Sequence, residues 1–168
     1  MSTIDSLELG TARQNAHPNG TPRYYSNPNE EDTIGVAGEL AFANKYGLKM
    51  DEAIRPNGDG HIDFKMQLIL DDAIKQITID IKTAKKAYNL LIKDWEMEES
   101  SDILVLGRFN ENETVDLLGW EYKSVMAKQP KKIFSSLGIV NHYKPVEKLR
   151  PMHELDVIMK RLIQIDFE

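Results

Sequence analysis

The chain has 168 residues, 41% hydrophobic and 29% charged, which suits a single buried core and excludes a globally disordered chain. Its formal charge of −6 is the opposite of the basic footprint that tight non-specific nucleic-acid binding leaves. With no cysteine, disulfides, thiolate metal sites and cysteine nucleophiles are excluded, so any metal must be held by carboxylates, carbonyls, water or one of the 4 histidines.

Residues 1–28 are rich in Asn, Pro, Gly, Ser and Thr and read as a flexible N-terminal arm, which carries Arg13, Arg23, Tyr24 and Tyr25. Residues 29–168 read as one domain. A helix is expected over 29–46, capped by Asn29 or Asp32, with Ile34, Ala37, Leu40 and Ala41 on its apolar face and Gly47 as its stop. Residues 48–60 form a loop, with Asp59 as turn material. His61–Leu70 and Ile74–Lys82 read as two strands of a hairpin. A polar, basic stretch with Lys85 and Lys86 leads to Leu90-Leu91-Ile92, a short strand or helix end. Acidic residues 94–102 precede Ile103–Gly107, a central strand by its continuous apolar run. Val115–Trp120 is a further strand and Glu121–Ala127 a helix. Residues 128–150 read as a basic loop whose Lys128, Lys131 and Lys132 are either a phosphate-contacting patch or a solvated surface. Met152–Ile165 reads as a closing amphipathic helix. Trp95 and Trp120 read as core or interface residues rather than base-stacking ones. The whole is α/β, with a central mixed β-sheet flanked by helices. No apolar run reaches membrane-spanning length and no signal pattern opens the chain, so a cytoplasmic protein with no membrane partner is expected.

The chemistry concentrates in Ile77-Thr78-Ile79-Asp80-Ile81-Lys82-Thr83. Alternation on a strand sends the three isoleucines to one face and Thr78, Asp80 and Lys82 to the other. Charge at the end of an apolar strand is costly unless it is paired or binds a metal. Asp63 lies on the preceding strand, so Asp63 and Asp80 can grip one hard cation, Mg²⁺ or Mn²⁺, from the same side. The Ile81 carbonyl supplies a third oxygen, and Glu39 reaches the ion directly or through water. Lys82 is placed to orient a water or to stabilise charge on a phosphate. Two other acid-x-Lys patterns, Asp63-Phe64-Lys65 and Glu121-Tyr122-Lys123, lack that setting. Thr83 either contacts a phosphate or caps the next segment, and Lys85 and Lys86 either track a DNA backbone or are solvated. His61, a lone histidine beside a turn, reads as structural.

Gly38-Glu39-Leu40-Ala41-Phe42-Ala43, Gly60-His61-Ile62-Asp63-Phe64 and Asp80-Ile81-Lys82-Thr83 together resemble the PD-(D/E)XK nuclease superfamily, with its restriction-endonuclease-like core. Asp102–Gly107 and Leu117–Trp120 resemble the following core strands, so the likeness covers residues 32–125. Ile62 stands where the family's Pro would be, and the motif acid is Asp rather than Glu. The resemblance implies a metal-dependent DNA nuclease of the small kind found in bacteria and their phages, with DNA as its partner. Restriction-like enzymes often dimerise to cut two strands, although no dimer motif is visible here. Two other readings compete with it. One is a catalytically inactive nuclease-fold factor that binds DNA or protein, which the acidic charge favours. The other is an interaction domain that docks a partner through the arm and the 128–150 segment.

Overall fold

The computed structural model describes residues 28–50 and 62–165. The arm, with Arg13, Arg23, Tyr24 and Tyr25, and the turn residues Asp59 and His61 lie outside the described residues.

The first helix, α1 (Pro28–Tyr46), starts on a proline, whose missing N–H costs nothing in a first turn. Glu30 and Glu31 in that turn and Lys45 in the last suit the helix dipole. The helix stops at Gly47, whose φ of 65° is in the left-handed region glycine tolerates, and the Leu48 N–H closes the end on the Ala43 carbonyl.

The expected hairpin forms from β1 (Phe64–Ile69) and β2 (Ile74–Ala84), with Ile69 opposite Ile74 at the turn. Beyond β3 (Asn89–Lys93) and a 3₁₀ segment (Asp94–Glu99), β4 (Ile103–Phe109) returns parallel to β2. β5 (Val115–Tyr122) then pairs antiparallel with β4, through a bulge at Leu106/Gly107. With β8 (Leu162–Gln164) on the outer edge of β1, the central sheet has the order β5-β4-β2-β1-β8. Between β5 and β8 come α2 (Lys123–Met126), β6 (Lys131–Ile133), β7 (Val140–Pro145) and α3 (Met152–Met159).

The two faces of this sheet are covered differently. Ile79, Ile81, Ile103, Val105 and Trp120 pack on one face against Phe42 and Ala43 of α1 and Leu155 and Met159 of α3. On the other, Leu104 and Leu106 pack against Leu90, Ile92, Met97 and Met126. That second layer is a three-stranded sheet, β3-β7-β6, with the 3₁₀ segment and α2 beside it. The mixed α/β class and the mixed central sheet therefore hold, but the helices of any length lie on one face only.

Three further boundaries differ. Glu121 and Tyr122 finish β5 rather than open a helix, because their cross-strand partners Leu104 and Ile103 continue the ladder. Residues 128–150 contain β6 and β7 rather than being loop. Their lysines meet acids from other elements, Lys144 with Glu121 at 2.5 Å and Lys131 with Asp94 at 3.2 Å, and the His142 ring lies 2.9 Å from the same Asp94. The closing helix ends at Met159. Leu162 and Ile163 then alternate between buried and exposed as strand residues do, and satisfy the outer edge of β1. Gln164 also bonds both backbone groups of Lys49, 115 residues away, its oxygen accepting from the N–H and its amide donating to the carbonyl. Among the described residues no helix is long and apolar enough to cross a membrane.

Candidate active site

The β1–β2 ladder ends at Phe64 opposite Ile79, and Asp63, the residue before Phe64, lies outside the regular strand but stays tied to β2. Its N–H donates to the Ile79 carbonyl at 2.9 Å, and its Oδ2 accepts the Ile81 N–H at 2.7 Å. Asp63 thus grips both neighbours of Asp80. A strand residue presents its N–H and C=O to the same edge, so the Ile81 carbonyl faces the Asp63 side as well.

Asp80 and Lys82 stand in register with Leu104 and Leu106, which places them on the face covered by the small sheet. Their side chains meet at 2.8 Å. Asp63 and Asp80 are both buried. Burying ionised carboxylates is costly unless positive charge or donors surround them; here the Ile81 N–H and the Lys82 ammonium supply part of that.

One member of this constellation is absent from the motif. Glu96, only 8% exposed, lies in the 3₁₀ segment, whose Met97 packs over Leu104 and Leu106 beside Asp80 and Lys82. Its Oε1 lies 3.7 Å from Lys93 Nζ. Burial alone would push the Lys82 ammonium down. The charge and hydrogen bond of Asp80, then Glu96 and Asp63, outweigh burial and hold it above the ordinary lysine range. Lys82 is therefore a standing cation at neutral pH, suited to holding charge and donating hydrogen bonds. Glu96 sits in the acidic stretch 94–102, which the sequence offers only as a separator before the central strand. The signal against that reading was Met97, an apolar residue inside the run.

Glu39 comes from the other layer. It is buried on α1, which packs on the first face, whereas Asp80 and Lys82 face the second. Beside it, Gly38 allows α1 to close on β2: a Cβ there would fall 1.8 Å from Thr83 Oγ1. The Thr83 hydroxyl is shielded from solvent in that contact and also lies beside Gly107, so it is closed to a phosphate. Lys85 and Lys86 are exposed past the end of β2, and Lys85 pairs with Glu30 of α1. The two tryptophans separate sharply: Trp120 is 1% exposed in the core, while Trp95 is 54% exposed at the surface rather than in the core.

The oxygen donors of Asp63, Asp80 and Ile81 are of the hard kind that Mg²⁺ and Mn²⁺ take. Among the described residues, no three or more His, Cys, Asp or Glu side chains are gathered as a metal cage. Mg²⁺ is usually held by one or two carboxylates, with water and substrate phosphate completing its shell, so Asp63 and Asp80 fit it without a third acid. No family model, curated protein or solved structure matches this chain.

Proposed function

We propose that the protein is a Mg²⁺- or Mn²⁺-dependent deoxyribonuclease, most plainly an endonuclease, built on a restriction-endonuclease-like core. The observation that carries this reading is the pair of buried aspartates at the mouth of the hairpin, Asp63 bonded to the backbone on both sides of Asp80, with Lys82 2.8 Å from Asp80. Asp63, Asp80 and the Ile81 carbonyl would hold the ion. When bound, it neutralises phosphate charge and lowers the pKa of a water. The Lys82 ammonium is the charged donor for the phosphate oxygen that gains charge as water attacks phosphorus and the leaving oxygen departs. Glu96 and Lys93 set how much of that positive charge Asp80 alone must balance. Glu39, on the α1 side of the sheet, would reach the ion only through water, and the exposed Lys85 and Lys86 are candidates for backbone contacts. A cytoplasmic setting, where DNA and Mg²⁺ meet, goes with this reading.

The test is cleavage of supercoiled plasmid with Mg²⁺, with Mn²⁺ and with EDTA, for wild type, Asp80→Asn and Lys82→Ala, with thermal melts as the folding control. Metal-dependent nicking by wild type and none by the folded variants is expected. Equal nicking by all three would sink the proposal.

One observation favours a second reading, a nuclease fold retained for binding: Lys82 already balances Asp80 without any ion. Melting separates the two. An ion that binds the folded state raises the melting temperature. Mg²⁺ should do so in wild type and not in Asp80→Asn; no shift in either, with no cleavage, would favour the binding factor.

A further inference from the structure

Trp95 is a large apolar side chain displayed where it gains little from the core. The two residues that follow it, Glu96 and Met97, are buried, so the ring projects from an anchored turn rather than a loose loop. Lys93 Nζ lies 5.7 Å from the ring centroid and 3.7 Å from Glu96 Oε1. One ammonium is thus shared between the exposed ring and the carboxylate that faces the Asp80–Lys82 pair.

We propose that Trp95 is a stacking platform for an unpaired base of a nucleic-acid strand whose backbone lies against Lys93 and the Asp80–Lys82 site. The inference rests on the nuclease reading and adds a substrate class to it: strands with unpaired bases, as in single strands, flaps and frayed ends. Inside a duplex both faces of every base are covered by neighbouring bases, so a flat indole has nothing to stack on. An unpaired base offers a free face, and such a contact is worth about 1–3 kcal/mol per base. Stacking on one aromatic with one adjacent cation also needs no broad basic track, which agrees with a chain of net charge −6.

The two tryptophans make the test direct. Trp120 is 1% exposed with its indole N–H bonded to the Pro151 carbonyl at 3.0 Å, so a change in tryptophan emission on adding DNA reports Trp95. The titrant is an end-labelled fluorescent oligothymidylate of about 16 nucleotides in EDTA, which holds the strand uncut; its anisotropy gives the affinity of every variant, including those without the Trp95 reporter. Three controls accompany it: an abasic strand of the same length, a covalently closed duplex without ends, and the variants Trp95→Leu and Trp95→Phe.

Wild type should be quenched by oligothymidylate and not by the abasic strand or the closed duplex. Affinity should fall about 5- to 150-fold in Trp95→Leu, with Trp95→Phe between the two. Binding without quenching, equal binding of the abasic strand, equal affinity of Trp95→Leu, or no binding of oligothymidylate would each overturn the proposal. The nuclease reading fails separately: quenching by oligothymidylate with no metal-dependent cleavage leaves the platform standing without a nuclease. Cleavage with an unchanged Trp95→Leu affinity leaves the nuclease standing without the platform.

Discussion

Asp80 and Glu121 occupy the same row of the central sheet, on either side of Leu104, and face the same layer. Both are buried carboxylates, and each begins an acid-x-Lys triplet. Their surroundings differ. Glu121 has one negative charge and two cations: Lys144 at 2.5 Å and Arg150 at 2.7 Å, with the Tyr122 N–H at 2.9 Å. Its own triplet lysine, Lys123, turns away to the Glu98 carbonyl. Asp80 takes its cation from its own triplet, and Asp63 and Glu96 also act on that one ammonium. A buried acid clamped by two cations from distant elements is a fastener. Several acids gathered around one lysine of their own motif make an arrangement that a further cation can join, and that makes it the candidate for chemistry.

That contrast can be broken most sharply by activity. Asp80→Asn or Lys82→Ala should lower metal-dependent cleavage on the order of 10³-fold while Glu121→Gln leaves the rate per folded molecule unchanged; loss of rate in a folded Glu121→Gln would erase the distinction. In stability the order reverses. Glu121→Ala strands Lys144 and Arg150 and should cost about 3–5 kcal/mol, a melting-temperature drop on the order of 10 °C. A smaller effect comes from the layer beneath: Gly38→Ala forces α1 off Thr83 and should cost about 1–3 kcal/mol in a denaturant titration, and a loss that Thr83→Ala partly restores would locate the clash. Glu96→Gln should slow cleavage about tenfold with little loss of stability, as for a residue acting through its neighbours; an unchanged rate would remove Glu96 from the site.

The last expectation concerns acid. Burial opposes the charged form of Glu121, but the hydrogen bonds from Lys144, Arg150 and the Tyr122 N–H hold its carboxyl below the usual range. A depressed folded-state pKa gives stability that is present above the unfolded carboxylate's range and lost as the pH falls through the folded value. Urea midpoints measured across mildly acidic pH should fall more steeply for wild type than for Glu121→Gln.

How far the sequence alone could reach follows from the range of each signal. Asp80, Lys82 and Asp63 were legible because a period-2 isoleucine strand fixes a face and a short hairpin fixes a register, both within 20 or so residues. The helix α1 was legible from its small residues and its Gly47 stop, although it starts at Pro28, ahead of both expected caps, Asn29 and Asp32. Glu96 was not, because its membership depends on Met97 seating a 3₁₀ turn over β4, a contact no local period encodes. The clamp at Glu121 was hidden for the same reason: Lys144 and Arg150 look like loop charges until β7 crosses the sheet. Trp95 and Trp120 carry the same residue type in strand-like and acidic settings, and only packing separates the surface ring from the core one.

The edge of the central sheet is closed by residues that arrive late. β1 must wait for Leu162–Gln164 before its outer row of backbone groups is paired, and Gln164 then fastens Lys49 from 115 residues away. During synthesis the hairpin, β4 and β5 can assemble while that edge stands open, with the exposed Ile69, Leu70 and Ile74 at the hairpin tip. An open edge with apolar residues nearby is a template for another chain. The three-residue strand β8, by pairing that edge, removes the template, and lower chain concentration during refolding should favour closure by the chain's own strand over pairing with another chain.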